Sequence, residues 1–299
     1  MEIIHMPPQD IRLLAIDIDG TLLNPQKHIT PRTRTAIQAA QQQGIIVTLA
    51  TARRYINTAP IAQELGITIP VILCDGALII EHPNGGVLHR QVIGATVAQQ
   101  AVEILVRHGV QPVVHHINGM IEETWTGLSE YDNEWVTEYF ATFPENMQRL
   151  PYVSCCTGQP DPLRVVAFTS EEIVHRLIPE ISLLDCAWNM TRRGSYGTAE
   201  LTIMHTACSK ASGVQALARQ LAIPLEQVMA IGDNNNDIEM LQSVGWGVAM
   251  GQAPDNVKAI ADAVTTSNAE DGVAQAIERY ALRASNQAPS NSFNRATCL

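Results

Sequence analysis

Residues 11–23 read IRLLAIDIDGTLL, and they set the frame for the rest of the chain. From Ile11 to Ile16 every residue but Arg12 is apolar, and the run stops at Asp17. A short apolar run bounded by a turn reads as a strand buried on both faces, as in a parallel sheet. Asp17 and Asp19 follow as carboxylates two residues apart; Gly20 permits a sharp turn and Thr21 closes it. In open α/β sheets chemistry gathers at the carboxyl ends of strands. A carboxylate pair there can hold a cation, attack an electrophile or divide acid and base work. Taken alone, the stretch is also compatible with a strand end followed by an ordinary Asp-Gly turn.

The neighbouring segments repeat the pattern. Thr30 can cap a helix that Pro31 begins and Gly44 ends. Residues 45–50 read as a second buried strand, ending at Thr51 and followed by Ala52-Arg53-Arg54. A helix from Tyr55 to Leu65 and a third strand over 70–74 follow, the latter ending at Asp75-Gly76-Ala77. Strand, helix, strand, helix, strand predicts a parallel sheet with covering helices.

The rhythm then changes. Turn residues at 82–86 predict a hairpin joining 77–81 to 87–91. Helices over 96–108, 130–143 and 171–178 alternate with strands over 110–116, 165–169 and 187–191, which suggests an inserted α+β unit. Tyr131, Trp135 and Tyr139 recur at helical spacing, as a core stripe or as a face that touches ligand. Gly194-Ser195-Tyr196-Gly197 marks the exit, and both junctions could hinge. The α/β rhythm resumes with a helix from Lys210, a strand over 228–231 ending at Gly232-Asp233, and a helix opened by residues 234–237. The expected organisation is an α/β, Rossmann-like core over 10–82 and 194–283, an inserted domain over 83–193, and a disordered tail over 284–299.

Composition narrows the function. Thirty acidic against 19 basic residues give a net charge of -11, which argues against nucleic acid and against an anionic membrane surface as partners. No apolar run is long enough to span a bilayer, and the N-terminus carries no visible secretory signal. The six cysteines lack metal or framework spacing, so free thiols in a reducing compartment, the cytoplasm, are expected. The histidines, including the pair His115-His116, show no metal-ligand spacing and read as surface or packing residues.

A parallel sheet brings Asp17, Asp19, Thr51, Lys210, Asp233 and Asp237 to one crevice. One lysine cannot balance four carboxylates. A divalent cation can, and hard oxygen ligands with room for water suit Mg²⁺. Carboxylate, Mg²⁺, lysine and a hydroxyl donor together are the tools of phosphoryl transfer.

DIDGTL at 17–22, the threonine of LATARR at 49–54, Lys210 in CSKASG and GDNNNDIEML at 232–241 resemble the four motifs of the haloacid dehalogenase-like phosphohydrolases. VAMGQAPDNVK, DGV and the α+β insertion, a cap in that setting, resemble the Cof-type branch. The resemblance covers nearly all of residues 11–281. It implies Asp17 as a nucleophile that forms an aspartyl-phosphate, and Asp19 as acid and then base. It implies that Thr51 and the Ala52 amide bind the phosphoryl oxygens, and Gly20, Thr21, Arg53, Asp75, Lys210 and Asn236 are expected to bind phosphate or substrate beside them. Lys210 would neutralise growing charge; Asp17, the Asp19 carbonyl and Asp233 would hold Mg²⁺; Asp237 would orient Lys210 or the metal's waters.

Ala52, Asp75, Ala211 and Gln252 depart from the residues usual in that family, and none of these changes removes a reacting group. If position 52 needs φ > 0, alanine there costs roughly 1 kcal/mol. Asp75 is expected to face the crevice and shape specificity, unless it only caps its turn. The reading is a Mg²⁺-dependent phosphomonoesterase for a small phosphorylated metabolite, a sugar phosphate first, working as a monomer or weak homodimer. A phosphotransferase or mutase with the same intermediate, or a ligand-sensing protein that keeps the site, are the alternatives.

Overall fold

The computed structural model describes residues 10–119, 121–143, 146–191 and 197–282. Its first sheet is parallel, in the order Ala263–Val264, Trp246–Ala249, Val228–Gly232, Leu13–Ile16, Ile46–Leu49. A parallel bridge between Ala50 and Ile72 carries this order on to Val71–Leu73. That strand turns back, antiparallel, through Leu78–Ile80 to Val87–Arg90.

Leu13–Ile16 is buried at every position because both faces are covered. Leu14 and Ile16 pack with Ile37 and Ala40 on one side, whereas Leu13 and Ala15 pack with Val214 and Leu217 on the other. This is the two-residue alternation of a strand, and each fully buried leucine or isoleucine contributes about 1.5–3 kcal/mol. The covering helices start where capping predicts. The Thr30 hydroxyl accepts from the Thr33 amide at 3.2 Å, which opens Pro31–Gln42. The Ser209 hydroxyl accepts from the Ser212 amide at 3.2 Å, which places Lys210 at the first position of Lys210–Gln220.

The second sheet has the order Ala187–Thr191, Ala199–Met204, Arg164–Thr169, Pro112–Asn118, Ile121–Thr126, Met147–Arg149, antiparallel except for its last pair. Val165 and Ala167 face the helices Ala95–Arg107 and Glu171–Ile181. Val166 and Phe168 face the helix Glu134–Thr142. Arg164 shares the latter face, and that face looks onto the ends of the parallel strands.

Several expectations change here. Ala199–Met204 falls in the segment expected to belong to the core, yet it pairs with Arg164–Thr169 and Ala187–Thr191. Val87–Arg90, beyond the expected boundary at 83, stays paired with Leu78–Ile80. A short apolar run near a junction does not announce which sheet it will join. The helix expected over 130–143 begins only at Glu134, because Asn133 Oδ1 accepts from the Val136 amide at 2.8 Å and caps it there. Tyr131 lies in the preceding turn and is exposed, so the three aromatics form no single stripe. The tail at 284–299 and most of the expected hinge at 194–197 lie outside the described residues. Among the described residues the cysteines are free thiols, and no helix is long and apolar enough to cross a membrane.

Candidate active site

Asp17 ends the central strand and is almost fully buried. Gly20 turns the chain behind it at φ +85°, and a Cβ there would lie 2.4 Å from an Asp233 carboxylate oxygen. Only glycine satisfies both constraints. Thr21 then donates its hydroxyl to Asp233 Oδ1 at 2.7 Å. Lys210 Nζ reaches across to donate to Asp17 Oδ1 at 2.6 Å and to Asp237 Oδ1 at 2.7 Å. The other oxygen of Asp237 accepts from the Asp233 and Asn234 amides, each at 2.9 Å. Asp237 therefore fixes both Lys210 and the loop that carries Asp233.

Burial would lower the pKa of Lys210, but the adjoining Asp17 and Asp237 outweigh it and raise the pKa above the ordinary lysine value. Lys210 is thus a permanent cation. Burial pushes the Asp17 carboxyl well above the usual carboxylate range, against the pull of Lys210. Burial, with Asp237 nearby, pushes Asp233 up to about 6. One ammonium shared between two carboxylates leaves the third uncompensated. Ligand oxygens of Asp17, Asp233 and Asp237 lie within 4.8 Å of one another. Hard oxygen donors with excess negative charge fit a divalent cation. Asp17 and Asp233 are the members that would hold it, since both oxygens of Asp237 already accept hydrogen bonds. The Asp19 side chain is not part of this cluster.

Asp19 instead meets Arg53. The guanidinium donates from Nε to Oδ2 at 2.7 Å and from Nη2 to Oδ1 at 2.6 Å. Both carboxylate oxygens are engaged, so Asp19 must leave Arg53 before it can donate a proton to anything else. Thr51 is buried, and its hydroxyl accepts from the Arg53 amide at 3.1 Å. Ala52 is not among the residues with positive φ, so alanine carries no backbone strain there. Its carbonyl accepts from Arg164 Nη1 at 2.8 Å.

Asp75 is placed otherwise than expected. It is 2% exposed and does not line the cavity. One carboxylate oxygen accepts from Asn236 Nδ2 at 2.9 Å, and the other has no hydrogen-bond partner. Asn236 stands between Asp75 and the crevice, where it lines the wall. Gln252, singled out only as a departure, donates to the Gly20 carbonyl at 2.6 Å and accepts from the Asn268 amide at 3.1 Å, tying the loop after the central strand to a distant turn.

Asp17, Asp19, Thr51, Arg53, Lys210 and Asp233 open onto one cavity of about 440 Å³. The second sheet closes its far wall with His115, Arg164, Phe168 and Glu200, joined by Tyr139 from the helix Glu134–Thr142. Sequence reasoning assigned no role to most of these residues. The signals available were the vicinal histidines, read as packing, and Tyr139 within its aromatic series. Nothing local distinguished Arg164.

A family model for haloacid dehalogenase-like hydrolases matches residues 14–277. The chain belongs to that family. It is 28% identical over 281 residues to the pyridoxal phosphate phosphatase YbhA of Escherichia coli, covering 91% of this chain and 99% of that protein. It is 30% identical over 271 residues to the 5-amino-6-(5-phospho-D-ribitylamino)uracil phosphatase YitU of Bacillus subtilis, covering 90% and 97% of the two chains. Among solved structures, a subclass IIB sugar phosphatase of the superfamily superposes with a TM-score of 0.73 at 26% identity, over 89% of this chain and 98% of that one. The chain is thus an enzyme of the haloacid dehalogenase-like hydrolases, and these relatives are phosphatases.

Proposed function

We propose that this hydrolase is a Mg²⁺-dependent phosphomonoesterase of the cytoplasm, acting on a small phosphorylated metabolite, a sugar phosphate first. The observation that carries the reading is Asp17, buried at a strand end with Lys210 on one oxygen and Asp233 beside it. A carboxylate so held is aimed at one bond and cannot rotate away. Asp17, Asp233 and the Asp19 carbonyl would hold Mg²⁺, which would supply charge neutralisation for the transferring phosphoryl group.

The chain's own residues account for the remaining chemistry. An Asp17 oxygen forms a bond to phosphorus while the bond to the leaving oxygen breaks, and Asp19 gives that oxygen its proton. Water then attacks phosphorus, Asp19 takes its proton, and the bond to Asp17 breaks to release phosphate. Lys210, Thr51 and the amide of Ala52 hold the phosphoryl oxygens meanwhile. The second sheet acts as a cap that closes over the cavity, excludes water and opens for exchange, as a monomer or weak homodimer.

Phosphate release from a panel of phosphate esters tests this. Activity should need Mg²⁺, vanish with a chelator and return when the metal is restored. Asp17→Asn should abolish turnover in a folded protein, because an amide is no nucleophile. Persistent activity in that variant, with contaminants excluded, would sink the mechanism.

A further inference from the structure

The cavity wall opposite Asp17 holds two guanidinium groups that the phosphoryl chemistry does not use. Arg54 is 7% exposed and Arg164 3%. Among the described residues no carboxylate lies within ion-pair distance of either, although Arg53 and Arg149 each have such a partner. Arg54 Nη1 donates to the Thr124 hydroxyl at 3.3 Å, and its Nη2 is buried with no hydrogen-bond partner. The same guanidinium lies 4.6 Å from the centre of the Phe143 ring and 5.3 Å from that of Tyr139. Aromatic faces hold it in place and keep water off it.

Arg164 is fixed as firmly. Nη1 donates to the Ala52 carbonyl at 2.8 Å, beside the phosphoryl-binding Thr51, and Nε donates to His115 Nδ1 at 2.9 Å. With Nδ1 accepting, the His115 proton sits on Nε2 and points to the Tyr139 hydroxyl at 2.9 Å. The imidazole is neutral in this arrangement, so it neither cancels nor adds charge. Glu200 on the same wall makes no ion pair with either guanidinium among the described residues, and burial pushes its carboxyl upward against the pull of Arg164. Buried charges are normally paired. Two unpaired ones on the wall of a substrate cavity call for an anion that arrives with the substrate.

We propose that Arg54 and Arg164 form a second anion subsite, so that the preferred substrate is a phosphomonoester whose leaving group itself carries a carboxylate or a further phosphate. The proposal rests on the phosphatase reading and narrows it. The cavity's volume suits such a molecule of drug-fragment size. The planar forks of arginine suit either oxyanion.

The test uses the full chain with Mg²⁺ and two matched ester pairs. Glycerol 3-phosphate against 3-phosphoglycerate exchanges only a hydroxymethyl group for a carboxylate; fructose 6-phosphate against fructose 1,6-bisphosphate adds only a phosphate. At least one anionic member should exceed its neutral partner in kcat/KM by about tenfold or more, and which pair does so names the anion. Arg54→Gln should remove most of that preference while changing the neutral member less than about threefold, and Arg54→Lys should retain part of it. Wild-type ratios near or below unity, or an equal fall for both members in Arg54→Gln, overturn the subsite. Hydrolysis of none of the four esters removes the phosphatase reading instead. Calorimetric binding of the same pairs to Asp17→Asn, with and without Arg54→Gln, then still decides the subsite by the same ratio.

Discussion

Glu122 caps a helix that belongs to the other sheet. Its carboxylate oxygens accept from the backbone amides of Tyr55 at 3.1 Å and Ile56 at 3.4 Å. The helix Tyr55–Glu64 has no side-chain cap of its own. The first amides of a helix need an acceptor, and an anion there also meets the positive end of the dipole. Glu122 sits on Ile121–Thr126, in the second sheet, so the contact between the two units completes the helix, and the proposed closure of the cap would make and break it. Glu122→Ala should lower stability by about 1 kcal/mol, the usual cost of a lost cap. It should also raise KM severalfold while kcat stays within about twofold. Chemical denaturation and steady-state kinetics read these effects, and an unchanged KM would separate this contact from closure.

The bidentate pair between Arg53 and Asp19 should open when a phosphoryl group arrives. Arg53 lines the cavity and can turn its fork from a carboxylate to a phosphate-like oxyanion, which frees Asp19 for proton transfer. A crystal structure with tungstate at Asp17 should show Arg53 on the oxyanion and Asp19 more than hydrogen-bond distance away. Arg53→Lys cannot form the fork and should cost tenfold or more in kcat/KM. A pair left intact beside bound tungstate would show that Arg53 does not gate Asp19.

Much of this was legible in the chain, and for a physical reason. The strand at 13–16 and its loop are local: apolar residues buried on both faces, then Asp, Asp, Gly and Thr in an order that only a sharp turn accommodates. Lys210 was legible because Ser209 announces its helix. The far wall was not. Arg164 matters through the Ala52 carbonyl, 112 residues away, and through His115, and no local pattern encodes such pairings. Ala199–Met204 was misplaced because the turn-rich stretch before it reads as an exit from the insertion, whereas the strand pairs back onto both its neighbour Ala187–Thr191 and the more distant Arg164–Thr169. Asp75 was placed at a strand end correctly, but whether it reached the crevice depended on Asn236 lying in front of it.

Asp75→Asn should therefore leave specificity alone. An asparagine at 75 keeps an acceptor for Asn236 Nδ2, so the residue that lines the wall stays in place. The expected result is a mutant to wild-type ratio of kcat/KM that agrees within about twofold across neutral and anionic esters. A ratio that spreads tenfold between esters would bring Asp75 back into contact with the leaving group.

His115 and His116 make the fold sensitive to acid. Burial holds His115 well below its ordinary pKa, with Arg164 and Arg54 adding to the effect. Burial lowers His116 from 6.5 to about 4; it stacks on Trp125 at 3.6 Å with a buried Nε2 that has no hydrogen-bond partner. Both are neutral when folded and take up a proton once unfolded. Between pH 4 and 6.5 the unfolded chain thus binds more protons, and stability rises with pH. The full contribution of His116 is present above pH 6.5 and is lost as the pH falls towards 4. Carboxylates also begin to titrate at the lower end, so a variant is needed to isolate the imidazole. His116→Phe keeps a ring against Trp125 but cannot protonate. Urea midpoints at pH 7.5, 6.0 and 5.0 should fall less steeply for this variant than for the wild type. Parallel declines would mean that His116 gains no charge on unfolding in this range.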